Sequence, residues 1–135
     1  MISMRHKCIF VRISKTASSS VQNAFKSQLG PLDRGEFDIK HYTLAHYRDT
    51  YPREFQSFYK FAFVRNPWDR IYSQYRFQHH IMVEKVPQLF EFAKCSFREW
   101  LLKCAEAYNS PDQFLFGTHR EIFEHHLTNQ LDWVT

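Results

Sequence analysis

The sequence predicts an α/β fold in which a parallel β-sheet is covered by helices. Three observations lead to that expectation. Short runs of β-branched and aromatic residues, "CIFVRI" (8–13) and "KFAFVR" (60–65), each lead into a turn and then a helical pattern, as buried parallel strands do. The segments follow the order β-α-β-α-β-α-α-α, which suits a sheet with helices packed on it. Only three glycines and five prolines occur in 135 residues, which leaves few sharp turns and favours long helices.

Each element has its own signal. The first strand covers 8–13. Behind it, 18–29 places Val21, Ala24, Phe25 and Leu29 on one helical face. "EFDIKHY" (36–42) reads as a further strand, and 43–50 as a short helix stopped near Pro52. After the strand at 60–65, segment 67–82 begins with Pro67 at a favoured first-turn position and carries Trp68, Ile71, Tyr72 and Tyr75 at helical spacing. Segment 96–108 opens with Ser96 and Glu99 in capping-box spacing. A last helix is expected over 119–127. No repeat, low-complexity tract or linker interrupts the chain, so 1–135 reads as a single domain with one modest core.

Composition narrows the function. Hydrophobic residues at 44% and aromatics at 18% exclude a disordered chain. A net charge of +4 suits an anionic ligand but is too small to demand nucleic acid, and no aromatic-basic recognition motif supports one. Cys8, Cys95 and Cys104 form neither a metal-spaced pair nor an even framework, which points to free thiols in a reducing compartment. Arg5, Lys7 and Arg12 surround an apolar run too short for a signal peptide or a membrane span. The expectation is a cytoplasmic protein with no membrane partner.

Ligands of parallel α/β sheets bind at the carboxyl ends of the strands, where 14–20 and 65–73 must lie. In "ISKTASSS" (13–20) a helix opens directly behind a strand. Its first N–H groups lack internal partners and its dipole is positive there, so the position receives a phosphate or sulfate. Lys15 adds a full charge, and Thr16, Ser18, Ser19 and Ser20 add short hydroxyl donors. Taken alone, the stretch reads as a serine-rich helix cap with a solvated lysine. A nucleotide-triphosphate loop fits poorly, because Lys-Thr opens the loop instead of following a glycine-rich stretch. In "FVRNPWDRIYSQYRF" (63–77), Arg65 ends the strand at 60–65 and should emerge at the same edge as Lys15. Ser73 lies on the next helix, and an Arg and a Ser converging there would grip a further phosphate. Arg70 and Arg76 read as structural or solvated. Taken alone, this stretch is an amphipathic helix with an N-terminal proline.

Together the two stretches resemble the paired signatures of sulfotransferases that use 3′-phosphoadenosine 5′-phosphosulfate (PAPS). The likeness is to the sulfotransferase family 2 type, the carbohydrate sulfotransferase-like branch, and it covers nearly the whole chain. "ISKTASSS" is similar to the family's 5′-phosphosulfate loop, with Ser14 where proline is usual, and "FAFVRNPWDRIYSQY" to its 3′-phosphate segment. The resemblance implies a three-layer fold of the P-loop nucleotide-kinase-like type. It also implies donor binding by Ser14, Lys15, Thr16, Ala17, Ser18, Ser19, Ser20, Arg65 and Ser73. Lys15 would stabilise the charge that grows on the leaving phosphate, and no metal would be required. The implied reaction moves a sulfuryl group to a hydroxyl of a saccharide or small-molecule acceptor.

The acceptor hydroxyl must lose a proton, for which a histidine is the usual base. His41 follows the expected middle strand, where related carbohydrate sulfotransferases place a base, and His46 is the alternative. The pairs His79-His80 and His125-His126, with His119 and Glu121, match no common metal spacing. Phe55, Phe58, Tyr59, Phe90, Phe92, Phe97 and Trp100 read as core rather than as a sugar platform.

The closing "HLTNQLDWVT" resembles the stretch that, in the family, precedes a glycine turn, a further strand and a region covering the nucleotide. The resemblance therefore implies a C-terminally truncated fold, whose uncovered apolar surface would be exposed or used in a homodimer. Two other functions fit the same motifs less well. One is a catalytically impaired remnant that still binds PAPS or its bisphosphate product. The other is a nucleotide-binding phosphotransferase, disfavoured by the lack of a glycine-rich loop and of an evident magnesium carboxylate.

Overall fold

The computed structural model describes residues 1–29, 41–79, 95–109 and 128–135. Its contacts cluster into two compact units, Met1–Arg65 with Thr128–Thr135, and Asn66–Leu127.

The first unit is built on a three-stranded sheet of order β1-β2-β3, in which β1 is Ile2–Ser3, β2 is Cys8–Val11 and β3 is Tyr59–Ala62. β2 and β3 are parallel, with Phe10 opposite Phe61 and Val11 opposite Ala62, as expected of two strands joined through helices. β1 runs antiparallel to β2, so the sheet is mixed where the sequence suggested a parallel one. A two-residue strand carries no readable alternation, and the turn that returns it to β2 uses Lys7 at φ 48° instead of a glycine.

Every residue of β2 is buried. Ile9 and Val11 share a core with Ile2, Ile13, Tyr47 and Trp133, against which Leu44, Tyr51, Phe55, Phe58 and Ala62 pack. The alternate positions of β2 carry Cys8 and Phe10, and the Phe10 ring stacks on Phe61 at 5.0 Å. Phe25, from helix α1 (Ser18–Leu29), approaches the same Phe61 ring at 6.4 Å. Helix α2 (Leu44–Thr50) is capped by Thr43, whose Oγ1 accepts from the His46 N–H at 3.2 Å. Pro52 ends that helix and opens another, α3 (Pro52–Ser57), because proline at the first helical position sacrifices no hydrogen bond. Of the expected strand at 36–42, residues 36–40 lie outside the described residues, and His41 and Tyr42 have no strand structure.

The second unit contains α4 (Pro67–Phe77) and α5 (Phe97–Asn109). Asn66 caps α4 by accepting from the Trp68 N–H at 3.0 Å. Ser96 and Glu99 form the expected capping box: the Ser96 N–H donates to Glu99 Oε2 at 2.8 Å and the Glu99 N–H to Ser96 Oγ at 3.3 Å. Trp100 and Cys104 form the core, with Ile71, Tyr75, Cys95, Phe97 and Leu101 around them. Burial raises the Cys104 thiol well above its ordinary pKa. Arg70 is buried, which lowers its pKa, and Arg76 is exposed. The expected helix at 119–127 lies outside the described residues, as do Phe90 and Phe92. Tyr59 corrects the aromatic expectation, since it is 71% exposed at the start of β3.

The β2–α1 connection contains two non-glycine residues in the left-handed region, Lys15 at φ 62° and Ala17 at φ 63°. A side chain with a Cβ costs roughly 1–2 kcal/mol there. Ala17→Gly should therefore stabilise the protein by roughly 0.5–1 kcal/mol after the extra entropy of glycine is counted. The check is a higher urea midpoint at an unchanged m-value. A lower midpoint would show that residue 17 does not hold this conformation.

Candidate functional site

Beyond β2 the chain stays buried through Arg12, Ile13 and Ser14, then turns outward at Lys15. Thr16 is buried, and its Oγ1 donates to the Ile13 carbonyl at 2.9 Å, tying the turn to the strand it leaves. The Ala17 carbonyl accepts from the Val21 N–H at 3.1 Å, which starts α1. The N–H groups of Ser18, Ser19 and Ser20 therefore occupy the first turn, where helix geometry provides no intrahelical acceptor. No acidic residue sits in that turn, so the helix's own first turn places no carboxylate against the positive end of the dipole. Ser18 is buried, while Ser19 and Ser20 are exposed.

Lys15 is half-buried, and its pKa falls to about 8, first through loss of solvation and second through the Arg65 guanidinium. Lys15 and Arg65 are thus brought into one electrostatic neighbourhood. A cavity of about 360 Å³ is lined by Thr16, Ala17, Val21, Phe63, Val64 and Arg65. Its walls are mostly apolar, and Thr16 and Arg65 are the polar residues among those that line it. Ser73 lies half-buried on α4, in the other unit.

The two candidate bases have different surroundings. His41 Nδ1 donates to the Arg12 carbonyl at 2.7 Å, and the ring meets Trp133 edge-on at 6.1 Å. His46 belongs to α2, where its ring stacks on Tyr42 at 3.8 Å and its Nε2 lies 3.5 Å from Thr50 Oγ1. Residue 41 is therefore tied to the carboxyl end of β2, and residue 46 to its own helix.

Two residues at this site carried no signal in the sequence. Gln130 holds the Arg65 backbone: the Arg65 N–H donates to Gln130 Oε1 at 2.8 Å, and Gln130 Nε2 donates to the Arg65 carbonyl at 2.8 Å. Trp133, buried in the core, abuts His41. Both lie in the 3-10 turn Gln130–Trp133, far along the chain from the groups they touch. Among the described residues, no group of three or more His, Cys, Asp or Glu side chains is placed to hold a metal ion. His80, His119, Glu121, His125 and His126 lie outside those residues. Likewise, no described helix is long and apolar enough to cross a membrane.

No curated protein and no solved structure matches the chain. The family model described as "Sulfotransferase family" matches residues 1–115. That span includes the strained Lys15 turn, the first turn of α1, His41 and Arg65, and it is well over half of the 135 residues, so the chain belongs to the sulfotransferase family.

Proposed function

We propose that this chain transfers a sulfuryl group from PAPS to a hydroxyl of a saccharide or small-molecule acceptor. The observation that carries the reading is a pair of like charges, Lys15 and Arg65, held at the open end of a helix whose first turn has no acid. Two cations brought together cost free energy, and an anion bound between them offsets that cost. The donor has anionic groups at both its 5′ and 3′ positions, so it fits a loop of N–H donors flanked by two cations.

PAPS supplies an activated sulfuryl group, whose bond to the 5′-phosphate oxygen breaks as the acceptor oxygen attacks sulfur. The N–H groups of Ser18, Ser19 and Ser20, with Lys15, receive the 5′ end. Lys15 places its charge where negative charge grows on the leaving oxygen, an interaction stronger in the transition state than in the ground state. Arg65 takes the 3′-phosphate through charge-assisted hydrogen bonds. Because His41 Nδ1 donates to the Arg12 carbonyl, the neutral ring has Nε2 as its basic nitrogen, and that atom takes the acceptor proton.

The remaining features fit this reading. Phe25 of α1 meets Phe61, while Tyr47 of α2 and Phe55 of α3 pack with Ile9 and Val11, as a three-layer fold of the nucleotide-kinase type would require. Cys8, Cys95 and Cys104 form no disulfide, which suits a reducing, cytoplasmic setting.

The direct test is binding and turnover. Adenosine 3′,5′-bisphosphate at roughly a millimolar should raise the Tm, because a ligand that binds only the native state stabilises it. An unchanged Tm, together with no transfer of labelled sulfate from PAPS, would overturn the reading. The pH dependence follows from Lys15. With a pKa of about 8 it is charged below that pH and neutral above it, so bisphosphate affinity should fall as pH rises through about 8. Lys15→Ala should flatten that limb. Arg65→Ala should move it upward, but only partly, since burial is the larger cause of the shift. In turnover, Lys15→Ala should cost roughly 10²–10³-fold, the scale of losing one transition-state charge partner. Equal losses in rate and affinity would make Lys15 a phosphate anchor only.

The base has its own test. His41→Ala should lower turnover by roughly 10²–10⁴-fold, remove the rise of activity with pH and leave bisphosphate binding intact. His46→Ala should do much less. A near-normal rate in His41→Ala with its pH profile preserved would place the base elsewhere.

A further inference from the structure

The ladder between β2 and β3 ends at Ala62. Phe63, Val64 and Arg65 follow, and all three are exposed. An arginine at the end of such a segment would sample many directions unless its peptide were held. The Gln130 side chain holds it, with one bond from the Arg65 N–H to Oε1 and one from Nε2 to the Arg65 carbonyl, both 2.8 Å. A primary amide engages a peptide in this way much as an adjoining strand would, with donor and acceptor both satisfied.

Gln130 is itself rigidly presented. The Asn129 side chain caps the 3-10 turn by accepting from the Leu131 N–H at 3.1 Å. At the other end of the turn, Trp133 is 2% exposed in the core with Ile9, Val11 and Ile13. Gln130 thus connects the core under β2 to the peptide of Arg65.

We propose that Gln130 is a positioning residue of the donor site: its two-bond grip on the Arg65 peptide sets the direction of the guanidinium and so the affinity for a nucleotide 3′-phosphate. The inference rests on the PAPS reading above. Gln130 need not touch the ligand, and its effect passes entirely through Arg65.

The test compares two ligands in four proteins. Adenosine 3′,5′-bisphosphate reports on the 3′-phosphate, and adenosine 5′-phosphate serves as a control for the rest of the site and for folding. Gln130→Met keeps the length of the side chain but neither hydrogen bond. It should weaken the bisphosphate by about tenfold, the scale of losing two hydrogen bonds that orient a charged contact. The same change should alter adenosine 5′-phosphate binding by less than about twofold. In an Arg65→Ala background, Gln130→Met should have no further effect on either ligand, because the two residues act as one unit. Equal weakening of both nucleotides, or an undiminished effect without Arg65, would overturn the positioning role and leave the PAPS reading standing. A wild-type protein that binds the bisphosphate no more tightly than the 5′-phosphate would overturn the 3′-phosphate reading, and this inference with it.

Discussion

The burial of β2 on both faces sets the position of the candidate groups in the first unit. Cys8–Val11 are all buried, and the chain remains buried through Ser14. Its register is set by pairing with β3, from Cys8 opposite Tyr59 to Val11 opposite Ala62. The Lys15 turn is therefore delivered at a fixed height, the Arg12 carbonyl is available to His41, and β3 is paired in a register that leads toward Arg65.

That rigidity allows the turn to be costly. Lys15 and Ala17 adopt left-handed backbone conformations without being glycine, and Lys15 is partly desolvated beside another cation. Each feature opposes folding, and each is tolerated because the strand before it and the helix after it are held independently. Strain and unfavourable charge collected at one turn, with well-formed packing on both sides, are the pattern on which the proposed donor site rests.

The parts of this arrangement that were legible in the sequence are those written locally. β2 shows as an unbroken apolar run, α1 as a one-sided pattern behind small hydroxyls, and α5 as a capping box at Ser96 and Glu99. Lys15 and Arg65 could be assigned to one edge because both follow parallel strands. Other parts depend on contacts that have no local spacing. β1 is two residues long, the left-handed Lys7 gives no compositional hint, and the Gln130 grip on Arg65 spans 65 positions. Tyr59 looked like core because aromatics usually are, but it begins β3 and faces solvent. The sequence places His41 ahead of His46 only through the resemblance; the difference in their surroundings, one ring on the Arg12 carbonyl and the other stacked on Tyr42, has no local spacing to show it.

The lowered pKa of Lys15 also changes its reactivity as an amine. At about 8, roughly a tenth of these side chains carry a lone pair at pH 7, against fewer than about one in a thousand for an ordinary lysine. The lone pair makes it a nucleophile, so activated esters and acyl phosphates will react there ahead of an ordinary exposed lysine. The resulting amide would be neutral and bulky, seated at the positive end of α1 where the anion would bind. The same loss of solvation that lowers the pKa of Lys15 therefore makes this position more readily acylated than an ordinary exposed lysine.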